Sequence, residues 1–231
     1  MSSDNPLVSV VIPSYDRPDR LLGAVESVLE QTYEPIEVVV VDDHSPTPVA
    51  EQLDGELSRT LDGGKRLQVV RHEENRGANA ARNTGIREAT GSYVAFLDDD
   101  DRWCPEKIER QVQTFARSPD SVGVVYTGVW NVDGDGRKTK KIVPRVSGKV
   151  TEQLLTGAAV AGSFSRVMVR SSVIEEAGLP DERFPSWQDR EWYIRLSLHC
   201  EFKYVAEPLT VRVLSEHDQI SGDFEAKRDV T

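Results

Sequence analysis

The chain has 231 residues and a formal net charge of −11, from 39 acidic and 28 basic residues. The acidic balance argues against a general nucleic-acid binder, because such proteins draw affinity from neutralising phosphates. The length can bury a full core, so we expect one α/β domain spanning residues 1–231 rather than two small ones.

Signals for membrane insertion or export are missing from the sequence. No stretch approaches the roughly 18 apolar residues of a membrane span, and residues 1–6 do not resemble a signal peptide. The two cysteines, Cys104 and Cys200, are too few for a disulfide framework. We therefore expect a cytoplasmic protein. Arginine outnumbers lysine in an acid-rich chain, which is compatible with a halophilic habitat where salt screens self-repulsion.

Short apolar runs alternate with segments of helical periodicity along the chain. The predicted strands cover residues 7–12, 37–41, 67–70, 93–97, 122–130, 164–169, 202–205 and 211–214. The predicted helices cover 19–32, 49–57, 77–89, a stretch after Pro105, 151–156, 171–177 and a segment ending near Leu198. This alternation implies right-handed crossovers and a Rossmann-like, mostly parallel central sheet flanked by helices. The less regular second half predicts a smaller antiparallel part.

Two predicted strands run directly into acidic residues. Asp42 and Asp43 follow one strand, and four consecutive aspartates, Asp98 to Asp101, follow another. Open α/β sheets bind ligands at the carboxyl ends of their strands, and clustered carboxylates repel one another unless a cation lies among them. Hard oxygen ligands suit Mg²⁺ or Mn²⁺. A solvated acidic turn is the alternative.

Five groups of residues, in order, resemble the motifs of family 2 glycosyltransferases with the GT-A fold. The resemblance extends over about residues 7–221, nearly the whole chain. Single motifs are weak, but their order is specific. The groups are Pro13-Ser14-Tyr15, residues 40–45 (VVDDHS), residues 75–77 with 81–85 (NRG and ARNTG), residues 96–101 (FLDDDD), and residues 181–184 with 187–189 (DERF and WQD).

The resemblance implies a nucleotide-sugar-binding half at about residues 7–100. Pro13, Ser14 and Tyr15 would bound the nucleobase pocket, and Asp43 would accept a hydrogen bond from uracil. Asp42 would contact ribose or base, although helix capping is an alternative role for both acids. The remaining donor contacts would come from Arg82, at the base or diphosphate, and from Asp98 and Asp99. Arg82 could instead pair with a neighbouring acid.

The resemblance also implies an acceptor-binding and catalytic half at about residues 101–221. Asp189 would be the general base, although it could instead cap the helix that begins there. Asp100 would bind Mg²⁺ or Mn²⁺ directly, and His217 resembles a late histidine that touches the metal or diphosphate. Trp187 and Gln188 would lie on the acceptor side. The family often has Glu at the position of Gln188, so one carboxylate beside the proposed base is absent.

A basic segment is not accounted for by these motifs. Residues 136–151 contain no acid, although the chain as a whole is acidic. Its cations could be a solvated hairpin face or could meet an anionic surface, such as lipid headgroups or a lipid-phosphate-linked acceptor. They are Arg137, Lys138, Lys140, Lys141, Arg145 and Lys149.

The expected activity is that of an inverting, metal-dependent glycosyltransferase. A sugar would pass from a UDP-sugar to an acceptor hydroxyl, on a lipid-linked or cell-surface glycan, in the cytoplasm or at the cytoplasmic face of the membrane. One alternative is a sugar-phosphate nucleotidyltransferase, although residues 13–20 lack the glycine-rich loop of such enzymes. A non-catalytic carbohydrate- or calcium-binding module is another.

Overall fold

Strands and helices alternate through the first half of the molecule. The computed structural model describes residues 5–57 and 64–214. The elements of the first half are β1 (Val8–Ser14), α1 (Pro18–Leu29), β2 (Ile36–Asp42), α2 (Val49–Leu57), β3 (Lys65–Arg71), α3 (Ala78–Glu88) and β4 (Tyr93–Phe96). β1 pairs in parallel with both β2 and β4, and β2 pairs in parallel with β3. The predicted parallel sheet is confirmed here.

The second half mixes parallel and antiparallel pairing. Its elements are β5 (Asp101–Trp103), α4 (Lys107–Ala116), β6 (Val122–Val132), β7 (Lys138–Ile142), α5 (Thr151–Leu155), a short 3₁₀ helix (Phe164–Arg166), β8 (Val167–Arg170), α6 (Ser171–Ala177), α7 (Gln188–His199) and β9 (Glu201–Val213). The strand order of the sheet is β3-β2-β1-β4-β8-β6-β9-β5, and β7 pairs with β6. The antiparallel ladders are β4–β8, β6–β8, β6–β7 and β5–β9.

Some elements differ from the sequence prediction. The two closing strands predicted at 202–205 and 211–214 are one strand, β9, which stays paired with β6 through register shifts near Gly128. A Cβ at Gly128 would lie 2.9 Å from the Glu207 carbonyl oxygen, so glycine permits this close approach. Residues 164–166 form a 3₁₀ turn, so the strand predicted at 164–169 begins later. β5 is polar and only three residues long, and no apolar run predicted it.

An aromatic cluster on one face of the sheet anchors α7. Trp192 is fully buried, its ring centroid lies 5.4 Å from that of Phe96, and the Phe164 ring stacks on it at 5.7 Å. The Trp192 Nε1 also donates to the Gly178 carbonyl at 2.8 Å. Because Phe96 ends β4 two residues before Asp98, this packing brings the first turn of α7 to the acidic end of β4. Within the described ranges, no helix is long and apolar enough to cross a bilayer.

Candidate active site

A cleft of about 430 Å³ lies at the carboxyl ends of β1 and β4 and reaches the first turn of α7. Most residues predicted for the site line this one cleft, although they come from distant parts of the sequence. They are Pro13, Ser14, Tyr15, Asp43, Arg82, Asp98, Asp99, Asp100, Trp187, Gln188 and Asp189. Asp42 is not among the lining residues, and His217 lies outside the described residues.

Asp43 is held rigidly at the floor of the cleft. Its carboxylate accepts hydrogen bonds from the backbone amides of Arg76, at 2.9 Å, and Gly77, at 2.7 Å. His72 Nδ1 lies 2.7 Å from the same carboxylate, while its Nε2 lies 2.9 Å from the Thr84 hydroxyl. Gly77 has φ 88°, a conformation that residues with a Cβ rarely adopt, which explains glycine at this position. Asp43 is therefore a preorganised acceptor.

Asp42 makes structural contacts in the turn before α2, and its predicted contact with ribose or base stays a prediction. Its side chain is fully buried, and it accepts hydrogen bonds from the backbone amides of Ser45, at 2.8 Å, and Val49, at 3.1 Å. Arg71 forms a short ion pair with it. These donors hold the pKa of Asp42 below its ordinary value despite burial. The carboxylate therefore holds the turn before α2, as the capping alternative supposed.

Arg82 joins α3 to the acidic end of β4 and to α7. Its Nη2 donates to Asp98 at 2.7 Å, and its Nη1 donates to Gln188 Oε1 at 3.1 Å and to Asn79 Oδ1 at 3.2 Å. The guanidinium carbon lies 4.1 Å from the centroid of the Phe164 ring, a cation–π contact. The Nε of Arg82 is buried and has no hydrogen-bond partner among the described residues. Arg82 therefore pairs with an acid, as one alternative supposed, and still lines the cleft.

The remaining aspartates after β4 are only partly neutralised. Asp99 accepts a hydrogen bond from the Ser14 hydroxyl at 2.9 Å, and Arg17 lies 3.4 Å from both Asp99 and Asp100. Burial raises the pKa of Asp99 to about 6. Burial, followed by the neighbouring Asp98 charge, raises the pKa of Asp100, and the same two causes raise the pKa of Asp101 well above its ordinary value. Burial therefore disfavours the charged forms of Asp99, Asp100 and Asp101 at this edge of the cleft.

The chemistry of this edge fits a hard divalent cation. In the described part of the chain, no group of three or more His, Cys, Asp or Glu side chains is arranged to hold a metal by itself. Mg²⁺, however, is usually bound by one or two carboxylates together with substrate phosphates rather than by a complete protein cage. Asp100 keeps 25% of its side chain exposed at the cleft and can serve as such a carboxylate.

Asp189 lies in the first turn of α7, opposite the acids of β4. Its carboxylate accepts a hydrogen bond from the Arg190 amide at 2.7 Å, and no side chain caps the helix, which begins after Trp187. Burial raises the pKa of Asp189, against the lowering effects of that hydrogen bond and of Arg82. Trp187 has φ 61°, an uncommon conformation for a large residue, and 48% of its surface is exposed at the cleft. The acid thus lies where it can exchange a proton with a bound molecule.

The sequence reasoning missed several residues that line the cleft, among them two arginines. Arg17, just before α1, and Arg212, on β9, belong to loops or strands without a recognisable motif. For Arg17, the only signal in the sequence was the presence of acids that could pair with it, such as Asp99. Arg212 lies beside Asp101 because β9 pairs with β5, and the local sequence does not predict this pairing. The other lining residues that were not predicted for the site are Asn75, Gly77, Ala78, Ala81, Asp101, Ser163, Phe164 and Ser186.

Comparison with known sequences places the chain in an enzyme family. The sequence model of the family described as Glycosyl transferase family 2 matches residues 9–178. This match covers most of the chain, so the chain belongs to glycosyl transferase family 2, and the predicted family is confirmed.

Named relatives in the family come from several bacteria. The chain is 37% identical over 143 residues to a putative teichuronic acid biosynthesis glycosyltransferase, TuaG, of Bacillus subtilis, with 62% of this chain and 54% of the relative covered. It is 28% identical over 196 residues to WfgD of Escherichia coli, named as a UDP-Glc:α-D-GlcNAc-diphosphoundecaprenol β-1,3-glucosyltransferase, with 84% and 70% covered. The chain spans between 28% and 54% of the length of the first three curated relatives that it matches.

Solved structures show the same fold. Staphylococcus aureus TarS, residues 1–349 in complex with UDP, superposes with a TM-score of 0.73 at 20% identity, covering 90% of this chain and 60% of TarS. The mannosyltransferase PcManGT of Pyrobaculum calidifontis, in complex with GDP-Man and Mn²⁺, superposes with a TM-score of 0.70 at 18% identity, covering 93% and 59%. These likenesses confirm the predicted GT-A fold.

Proposed function

We propose that this chain is the catalytic domain of an inverting, metal-dependent glycosyltransferase that moves a sugar from a UDP-sugar to an acceptor hydroxyl. One observation carries the proposal: acids from three separate segments, Asp43, Asp98–Asp100 and Asp189, line a single cleft. A cleft of this kind can hold a nucleotide at one end and an acceptor at the other.

The donor side is formed by preorganised groups. Asp43, fixed by two backbone amides, accepts a hydrogen bond from the base, and Tyr15 offers an exposed ring beside it. Arg82 and Arg17 supply positive charge where the diphosphate would lie. Mg²⁺ or Mn²⁺ at Asp100 would neutralise the charge that develops on the departing diphosphate. The related PcManGT structure contains Mn²⁺, and TarS structures contain UDP or UDP-GlcNAc, which supports this donor class.

The acceptor side is formed by the first turn of α7. Asp189 takes the proton from the acceptor hydroxyl as that oxygen attacks the anomeric carbon, a step worth on the order of 10²- to 10⁴-fold in rate. A single displacement of this kind inverts the anomeric configuration. Gln188 cannot take up the proton, so only one carboxylate serves as the base here, while Gln188 orients Arg82. The exposed Trp187 ring offers a flat surface for an acceptor sugar.

The names of two relatives support the proposed acceptor class. WfgD is named for a diphosphoundecaprenol-linked acceptor, and TuaG for teichuronic acid biosynthesis. We therefore include a lipid-linked glycan acceptor, and a location at the cytoplasmic face of the membrane, in the proposal.

Release of free nucleotide from a panel of UDP- and GDP-sugars, with and without MnCl₂, tests this proposal. We expect metal-dependent release from a UDP-sugar, and loss of release with retained UDP binding in Asp189→Asn. Asp120→Asn, an isosteric change at an exposed acid outside the cleft, is the matched control. Release from no sugar nucleotide, or full activity of Asp189→Asn, would contradict the proposal. Thermal stabilisation by calcium without any release would instead favour a binding module.

A further inference from the structure

The basic segment noted in the sequence forms an exposed edge of the sheet. β7 pairs with β6, and all five of its residues are exposed. We call β7 and the chain that follows it, residues 137–149, the basic hairpin. Its six cations are all exposed. Arg137 forms a solvent-exposed ion pair with Asp135 at 3.5 Å, a type of contact that neutralises little charge. In a chain of net charge −11, this is a concentrated positive surface.

Apolar groups accompany these cations. Ile142 and Val143, directly after the lysines, are 36% and 37% exposed. The Nζ atoms of Lys138 and Lys141 lie 4.8 Å and 5.6 Å from the centroid of the Trp130 ring. Lysines on an edge strand can simply prevent aggregation, but that role does not explain exposed apolar residues beside them. Cations next to apolar and aromatic side chains suit a bilayer surface, where the charges meet anionic headgroups and the apolar groups enter the interface.

The pairing register places the basic hairpin beside the cleft. Lys140 lies opposite Asn131, Asn131 opposite Arg212, and Arg212 opposite Asp101. Neighbouring strands lie about 4.8 Å apart, so three strand spacings put the Lys140 backbone roughly 15 Å from the Asp101 backbone. Arg212 and Asp101 both line the cleft. A planar surface that contacts the basic hairpin would therefore lie close to the entrance of the cleft.

We propose that the basic hairpin docks this domain on an anionic lipid bilayer, with the cleft close to the headgroup plane. The docking depends only on the surface of the hairpin. Its use in presenting a lipid-linked acceptor to Asp189 rests on the proposed function.

Vesicle sedimentation tests the docking. Vesicles of phosphatidylcholine with about one-third phosphatidylglycerol would be compared with pure phosphatidylcholine at 150 mM KCl. We expect binding to the anionic vesicles only. The variant Lys138→Gln/Lys140→Gln/Lys141→Gln/Arg145→Gln loses four cations that attract anionic headgroups. Its partition coefficient should therefore be at least about 100-fold lower than that of the wild type.

A second variant with the same net charge shows whether vesicle binding depends on the basic hairpin or on the net charge of the protein. Arg66→Gln/Arg87→Gln/Arg110→Gln/Arg117→Gln removes four exposed cations elsewhere and should bind vesicles nearly as well as wild type. The double variant Ile142→Ser/Val143→Ser, which does not change the charge, should weaken vesicle binding severalfold. Melting curves would confirm that each variant is folded.

Three results would overturn the docking proposal. The first is failure of the wild type to bind anionic vesicles, and the second is equal binding by the two charge variants. The third is binding of the wild-type protein to single-stranded RNA as tightly as to anionic vesicles. Nucleotide release with a water-soluble acceptor separates this proposal from the transferase proposal. The hairpin variant should retain that activity. Absence of activity in the wild type, together with normal vesicle binding, would refute the transferase function alone.

Discussion

Two groups of acids, Asp42–Asp43 after β2 and Asp98–Asp101 after β4, look alike in the sequence but lie in different surroundings. Four backbone amides, an arginine and a histidine contact the first pair. In the second group, Asp99 and Asp100 share Arg17, and burial raises the pKa of both. Asp42 and Asp43 are therefore held by fixed donors, whereas burial disfavours the charged forms of Asp99 and Asp100.

The largest expected effect comes from Asp100. Asp100→Ala should lower nucleotide release at least about 100-fold and greatly weaken UDP binding in MnCl₂, because the diphosphate loses its charge neutralisation. Asp189→Ala should also remove turnover but leave UDP binding nearly intact. Calorimetry with UDP, alongside the release assay, separates the two roles. Unchanged UDP affinity in Asp100→Ala would contradict the assigned metal contact.

Asp42→Ala should affect folding rather than donor binding. The change leaves the Ser45 and Val49 amides and the Arg71 guanidinium without their acceptor, so the free energy of unfolding should fall by about 2–3 kcal/mol. Urea denaturation measures this loss, with Asp120→Ala as the control. A rise in the donor KM at unchanged stability would show that Asp42 contacts the nucleotide after all.

The pH dependence of kcat/KM should report on Asp189. A base must be ionised, so activity should fall about tenfold per pH unit below its pKa. Burial raises the pKa of Asp189, and the acid limb should therefore lie above the ordinary aspartate value of about 3.9. UDP binding measured over the same pH range controls for titration of the aspartates after β4. An acid limb at or below pH 4 would exclude a buried base.

Arg17→Gln should sharpen the contrast between the two acid groups. Arg17 is a cation that competes for Asp99 and Asp100, and its side chain is 32% exposed. Its removal should tighten Mn²⁺ binding in the absence of nucleotide about fivefold, since a partly exposed ion pair contributes up to about 1 kcal/mol. Calorimetric titration with MnCl₂ measures the change. Weaker Mn²⁺ binding would mean that Arg17 instead holds Asp99 and Asp100 in the arrangement that binds the metal.

The smallest expected effect is a change of melting temperature with salt, caused by the exposed acids. If the acidic composition reflects a high-salt habitat, molar KCl should raise the melting temperature by about 2–4 °C through screening of surface repulsion. Asp100→Ala should gain as much as wild type, because a partly buried acid is screened little. Indifference of the wild type to salt would remove the habitat hypothesis.

Local sequence patterns predicted much of the fold but not its long-range pairing. The bounds predicted for α2, 49–57, are those observed, and most other helices differ by only a few residues, because helical periodicity is a local property. β5 was not predicted, since its three residues become a strand only by pairing with β9. The fully buried Lys107 was also unexpected, because only packing places its Nζ 3.7 Å from the Trp103 ring.

The order of strands, helices and acidic motifs was determined by the sequence alone, and with it the family and the expectation of a shared cleft. Only the tertiary structure decided that Asp43 faces the cleft while Asp42 faces the turn before α2. It likewise brought Arg17 and Arg212 to the acids and set the basic hairpin beside the cleft. The reason is physical: periodicity fixes which face of an element is apolar, whereas side-chain environments depend on partners far away in the chain.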